Sequence, residues 1–262
     1  MADFQYAQTR TGAQTGDMST DAGLRKFMLG VYNKLFLGIL LAGALAYAAG
    51  AVEPVTQLVF GTPLYFVVQW GPIVLMLGSM FFMKNPSPLL TGIMYWAIVT
   101  MMGLGLGIWV AAAEAATAGA PLDISTRGGI PVSNLTYMTI AKAFLITASA
   151  FGALSLFGYT TKRDLSGLGS FAIMALWGVL ALSLLNFFLP PSSTMEWIIM
   201  GAVFALSAVL IAVETQQLKD GYYAFGGDAR SLAVLTNWGA LNFFISFINI
   251  FRIVLMFLSS RE

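Results

Sequence analysis

The chain has 262 residues, of which 58% are apolar and 10% charged, with a formal net charge of +1. A water-facing domain carries about a quarter charged residues, so the composition excludes a soluble globular protein, and the near-neutral charge excludes long-range attraction to nucleic acid. Cysteine and histidine are both absent, which removes disulfides, thiol nucleophiles, Cys-His zinc sites, the usual haem ligands and imidazole bases. A response to pH near neutrality then needs a carboxylate in an unusual environment.

Residues 1–27 read as a polar cytoplasmic tail. The first 24 are rich in Gly, Thr, Gln and Ala, and they lack the basic start and adjoining apolar core of a cleaved signal peptide. Residues 28–258 read as a seven-helix transmembrane domain and 259–262 as a short external C-terminus. The expected fold is therefore an all-α polytopic membrane protein. Its apolar stretches lie at 29–52, 64–83, 89–113, 136–157, 168–189, 196–214 and 232–258. Each approaches or exceeds the ~20 residues needed to cross ~30 Å of hydrocarbon. From Ile93 to Ala113 and from Phe171 to Leu189 there is no period of two, which speaks against barrel strands.

Along the chain, Pro54 and Pro63 bound the first loop. In the second stretch, Gly71-Pro72 either kinks the helix or delays its start. Lys84, Asn85, Pro86 and Pro88 mark the turn into the third, where Gly103 and Gly107 form a G-xxx-G pair around Gly105. Small residues at this spacing let helix backbones approach closely. With no preceding strand they are not a dinucleotide fingerprint. Glu114 and Glu196, at outer helix ends, read as interface residues. Between the fourth and fifth stretches, Asp164 with Ser166 suits a helix cap. The neighbouring Lys162 and Arg163 suit an anchor to anionic headgroups, a gate or a docking point. Pro190 and Pro191 stop the fifth helix, and Ser192, Ser193 or Thr194 can cap the sixth.

A carboxylate in hydrocarbon is costly unless it reaches a boundary, is protonated or faces a polar interior. Glu214 closes the sixth stretch, with Ser207 on nearly the same face and Thr215, Gln216, Gln217 and Lys219 following. Two readings stand. One is a helix-end carboxylate wetted by water and paired with Lys219 or Arg230; the other is a cation- or proton-responsive carboxylate facing the bundle interior. In the seventh stretch Asn242, Ser246 and Asn249 share a face at i, i+4 and i+7, and Arg252 continues it. That face either ties helices together or lines a narrow polar path, while Arg252 pairs inside or snorkels outward. The candidates for an ion path or pH sensing are thus Glu214, Ser246, Asn242, Asn249 and Arg252. No catalytic residue and no cofactor is assigned. Gly-x-Ser-x-Gly is absent, Ser170, Ser207 and Ser246 have no histidine base, and the last two stretches offer one acid rather than two.

Basic residues set the orientation. With the N-terminus inside, the inner segments hold Arg10, Arg25, Lys26, Lys84, Lys162, Arg163, Lys219 and Arg230, against Arg127 and Arg261 outside. This positive-inside bias puts the C-terminus outside.

The run Phe157-Gly158-Tyr159-Thr160-Thr161-Lys162-Arg163-Asp164-Leu165-Ser166-Gly167-Leu168-Gly169-Ser170-Phe171, together with Glu214-Thr215-Gln216, resembles the Bax inhibitor motif family of membrane proteins, in its bacterial branch. Val31-Tyr32-Asn33-Lys34, Leu241-Asn242 and Asn249-Ile250-Phe251 extend the likeness over roughly residues 24–258. The resemblance implies a bacterial inner-membrane protein with six helices around a polar seventh. Some members are associated with a pH-controlled calcium leak through an aspartate pair between the sixth and seventh helices. Some bacterial relatives instead modulate membrane-protein quality control by an AAA protease. Glu214 keeps a carboxylate at the first aspartate position, but Ser246 occupies the second, and 64–83 offers no Lys or Arg to close the pair. Two carboxylates can share a proton and turn pH into geometry; a carboxylate and a hydroxyl cannot form that dyad. The leading expectation is a non-enzymatic regulator or accessory subunit; the alternative that the resemblance implies is a pH-sensitive cation (calcium) leak using Glu214 as a weak Ca2+ site, with a degenerate second carboxylate position at Ser246. Residues 1–24 and the aromatic, glycine-bearing segment 220–228, read as a loop, are the places for a protein partner; exposed aromatics there also suit headgroup anchoring.

Overall fold

The computed structural model describes residues 21–82, 85–118, 135–188 and 193–260. These residues form α1 (Ala22–Ala51), α2 (Glu53–Phe60), α3 (Leu64–Phe82), α4 (Pro88–Ala118), α5 (Tyr137–Thr160), α6 (Ser166–Phe188), α7 (Ser193–Ala224) and α8 (Ala229–Ser259). Among them six helices are long and apolar enough to cross a bilayer, and the α2–α3 pair, bent by 64°, makes a seventh if it is one broken span. The chain is an all-α polytopic membrane protein. Expectations placed on residues 1–20, Lys84, Arg127, Pro190, Pro191, Ser192 and Arg261, and on the side chain of Glu196, lie outside the described residues.

Helix ends depart from the apolar stretches for local reasons. α1 begins at Ala22 because the Asp21 carboxylate accepts the backbone N–H groups of Gly23 and Leu24 at 2.9 and 3.1 Å. The helix therefore reaches into the segment read as tail, since hydropathy reports hydrocarbon and not helix. The segment between Pro54 and Pro63 is no open loop. Pro54 sits in the first turn of α2, where a missing N–H is tolerated. α3 runs on through Pro72.

The largest correction concerns α7. It does not stop at Glu214 but continues to Ala224, so residues 220–224 are helical and Glu214 is not a helix end. The α7–α8 connection is only Phe225–Asp228, turned by Gly226 and Gly227 at φ of 55° and 88°, where a side chain would be strained. Asp228 then caps α8 by accepting the Ser231 N–H at 2.9 Å. The Ser231 side chain and backbone N–H hold the Asp228 carboxyl below its ordinary range.

α8 packs against α1, α4, α5 and α7, while α3 packs on α4 and α6 on α7. Leu241, Phe243, Phe244, Ile250 and Leu255 of α8 are each no more than 1% exposed. On its α5 side, Phe151 meets Phe243 and Phe247 edge-on at 5.4 and 5.9 Å between centroids, and Phe144 meets Phe247 at 5.7 Å. The G-xxx-G pair works as expected. A Cβ on Gly103 would lie 2.7 Å from Ala42 Cα, and one on Gly107 would lie 2.6 Å from Ala49 Cβ, so α1 and α4 meet almost backbone to backbone. Lipid is as apolar as these side chains, so close packing and polar ties, rather than transfer out of water, hold the helices together.

Candidate functional site

Three consecutive residues of α7 reach three different neighbours, because successive helical side chains are turned by about 100°. Glu214 points to α8. The Ser246 hydroxyl donates to its two carboxylate oxygens at 3.3 and 3.1 Å. Ser246 is buried and Glu214 half-buried. Gln216 points to the α5–α6 connection. Its Oε1 accepts the Leu165 N–H at 2.7 Å, and its Nε2 donates to the Arg163 carbonyl at 2.8 Å. One amide thus satisfies both edges of a loop backbone that has no helical partner of its own.

Thr215 points between α5 and α1. Its hydroxyl donates to the Ile211 carbonyl at 2.7 Å and stands 3.0 Å from Ser155 Oγ, which stands 2.6 Å from the Tyr32 hydroxyl. A hydroxyl has one proton to give. Thr215 gives its proton to Ile211, so Ser155 donates to Thr215 and Tyr32 donates to Ser155. The chain therefore has a direction, from α1 through α5 into α7. Gly158 makes the approach possible, since a Cβ there would come within 2.3 Å of the Ala212 carbonyl oxygen.

Glu214, Gln217, Leu218, Trp238 and Asn242 help line a cavity of about 100 Å³ between α7 and α8. Asn242 is exposed at this edge; Asn249 is half-buried and Arg252 exposed. These two continue along α8 for about 4.5 and 9 Å beyond Ser246, at 1.5 Å per residue. The structure thus brings Glu214, Ser246 and Asn242 together and carries Asn249 and Arg252 away along the helix. The partner given to Glu214 is Ser246, not the Lys219 or Arg230 considered from sequence. α7 packs on α1, α5, α6 and α8, and none of those four helices contains an Asp or Glu. No group of three or more acidic, His or Cys side chains suited to a metal ion occurs among the described residues.

The α5–α6 connection behaves as a scaffold beside this site. Asp164 accepts the Ser166 N–H at 2.8 Å at the start of α6. That N–H and the Ser166 hydroxyl hold the Asp164 carboxyl below its ordinary range. The side chains of Lys162 and Arg163 are exposed. At the other end of the molecule, the Tyr137 hydroxyl donates to Glu114, tying α4 to α5.

A second polar node escaped the sequence reading. The Lys34 ammonium donates to Asn237 Oδ1 and lies 5.0 Å from the centre of the Tyr95 ring. Asn237 Nδ2 donates to the Pro88 carbonyl and to Thr91 Oγ1, both at 2.8 Å, and the Tyr95 hydroxyl donates to the Lys34 carbonyl at 2.7 Å. α1, α4 and α8 are joined at this point. The available signal was Lys34 itself, a cation inside an apolar stretch. Its partners are neutral and distant in sequence, so no spacing rule marks them.

The comparisons agree with this architecture. The family model described as Inhibitor of apoptosis-promoting Bax1 matches residues 24–262. A Caulobacter vibrioides protein is 44% identical over 272 aligned residues covering 100% of both chains. A Rickettsia prowazekii protein is 32% identical, covering 99% of each chain. The inner membrane protein YbhL of Escherichia coli is 30% identical over 92% of this chain and 94% of its own. The chain is a bacterial, multi-pass member of the Bax inhibitor motif family, whose membership supports a regulatory membrane role without catalysis.

Proposed function

We propose that this protein is a regulator or accessory subunit of the bacterial inner membrane, with its N-terminus inside, its C-terminus outside and six crossings grouped about the last. The inner-membrane assignment draws on the Escherichia coli relative's description. The observation that carries the functional reading is the company of Glu214: one serine hydroxyl, and no acidic residue on any helix packed against α7. Two like charges that share a proton make a bistable contact; a carboxylate and a hydroxyl make a fixed one. A divalent cation prefers several oxygen ligands, of which Glu214 supplies one carboxylate. The α7–α8 contact is then a clamp. Partner action falls to the inner surfaces, namely residues 1–24, the Lys162–Asp164 connection and the 220–228 segment. A membrane-protein complex engaged in quality control, including one built on an AAA protease, is the class of partner that suits them.

One observation favours a second reading, a pH-sensitive cation leak. The cavity of about 100 Å³ beside Glu214 also has Gln217 and Asn242 in its wall, and Asn249 and Arg252 would extend that polar line. Reconstitution into liposomes loaded with a calcium reporter separates the two. The regulator reading expects no flux above empty vesicles between pH 6 and 8 and no effect of Glu214→Gln. A pH-dependent flux abolished by Glu214→Gln would overturn it.

A further inference from the structure

α1 and α5 both pack on α8, and between them lies a groove of about 1150 Å³. The two helices run antiparallel, because Tyr32 of α1 meets Ser155 of α5 and the N-terminal end of α1 lies by the C-terminal end of α5. On α1 the groove runs from Arg25 to Ile39 in the apolar direction, and Phe247 of α8 contributes to its floor. Arg25 to Ile39 is about 21 Å at 1.5 Å per residue, against about 20–22 Å for one leaflet with its headgroup region. The groove is one leaflet long.

Its two ends differ chemically. Phe36, Ile39, Phe144 and Ala148 line the deep end, and Arg25, Lys26 and Tyr159 line the mouth. Arg25 and Lys26 are exposed, and among the described residues neither has an acidic partner. The acid at the mouth, Asp21, is engaged with two backbone N–H groups as the cap of α1 and makes no ion pair with Arg25 or Lys26 among the described residues, so the mouth is net positive. The hydroxyls of Tyr32 and Ser155 in the wall are consumed by the chain into Thr215. What remains without a complement is an apolar trough of leaflet length with two cations at its mouth.

We propose that this groove binds one anionic phospholipid of the leaflet facing the α1 N-terminus, with an acyl chain between α1 and α5 and the phosphate group at Arg25 and Lys26. A zwitterionic lipid fills the same trough but leaves the cations without net countercharge. The pair gives anionic headgroups an advantage of roughly tenfold to thirtyfold. The site stands apart from Glu214 and does not depend on its role.

Native mass spectrometry on the full chain in mild detergent tests this, using phosphatidylglycerol and phosphatidylcholine with identical acyl chains as probes. The expected result is retention of phosphatidylglycerol at least tenfold more tightly, with Arg25→Gln/Lys26→Gln bringing the two lipids level. Gly152 borders the groove, and a Cβ there has nothing within 4 Å. Gly152→Phe should therefore weaken both lipids at least tenfold, with Gly152→Leu as a smaller plug should the first variant fold poorly. Gly178 of α6 is equally open but outside the groove, so Gly178→Phe should leave retention unchanged. Equal retention of the two lipids by the wild-type chain, or retention unmoved by both plugs, overturns the proposal. So does a chain lacking residues 1–20 that retains lipid when the full chain does not, because the tail would then be the occupant.

Discussion

Thr215→Val offers the sharpest test of the directed hydroxyl chain. Valine matches threonine in shape, so the substitution removes one hydroxyl and little else. Thr215 is fully buried and Ser155 is 3% exposed, so the Ser155 proton loses its acceptor where no water replaces it. An orphaned buried donor costs about 1–3 kcal/mol in general. Hydrogen bonds between membrane helices average nearer 0.6 kcal/mol with a ceiling of about 1.7. The two ranges overlap at roughly 1–1.7 kcal/mol, and about 1 kcal/mol is expected, a fivefold loss in the folding equilibrium constant. Equilibrium unfolding in mixed micelles measures it, as a double-mutant cycle with Ser155→Ala. The coupling between the two sites should reach about 0.6 kcal/mol. Tyr32→Phe is the control: it keeps the stack on Phe243, whose centroid is 5.7 Å away, and leaves Ser155 its own acceptor. It should cost less than Thr215→Val. Additivity of Thr215→Val and Ser155→Ala within about 0.3 kcal/mol would refute the pairing.

Three further outcomes follow from the geometry. Gly103→Ala should destabilise by about 1–3 kcal/mol because its Cβ would meet Ala42 at 2.7 Å, whereas Gly105→Ala, 3.5 Å from Val68 Cγ1, should be neutral or stabilising; thermal unfolding in detergent compares them. Gln216→Leu removes both bonds to the Arg163–Leu165 backbone, so trypsin should cut at the exposed Lys162 and Arg163 several-fold faster. The side of sealed vesicles on which it cuts also reports orientation. The Asp228 carboxyl, held below its ordinary value of 3.8 by Ser231, contributes to the α8 cap above that value and loses the contribution as pH falls through the lower folded value. Protection of the Ser231 amide against exchange, taken relative to its intrinsic rate at each pH, should fall on acidification, and Asp228→Asn should remove that dependence.

Length and hydropathy alone were enough to reveal the crossings, since an 18- to 30-residue apolar run has few other fates in a chain with 10% charge. The Gly103 and Gly107 contact was legible for a similar reason: small residues at i and i+4 serve close helix approach whatever the partner. The pairing of Glu214 with Ser246 could be anticipated from the family resemblance. Helix ends were less legible. α7 runs past Glu214 to Ala224 through polar residues that stay helical, and hydropathy is blind to helix that is not apolar.

Only the tertiary structure decided which face of each helix meets which neighbour. Glu214, Thr215 and Gln216 are adjacent letters, yet one clamps α8, the next joins a hydroxyl chain to α5 and α1, and the third holds the α5–α6 connection. Lys34 and Asn237 are 203 positions apart and share a hydrogen bond. Such contacts are fixed by helix rotation and crossing, and no periodicity in a single segment encodes them. The groove between α1 and α5 belongs to the same class: the space exists because two helices pack on a third at different places, a fact that neither sequence contains by itself.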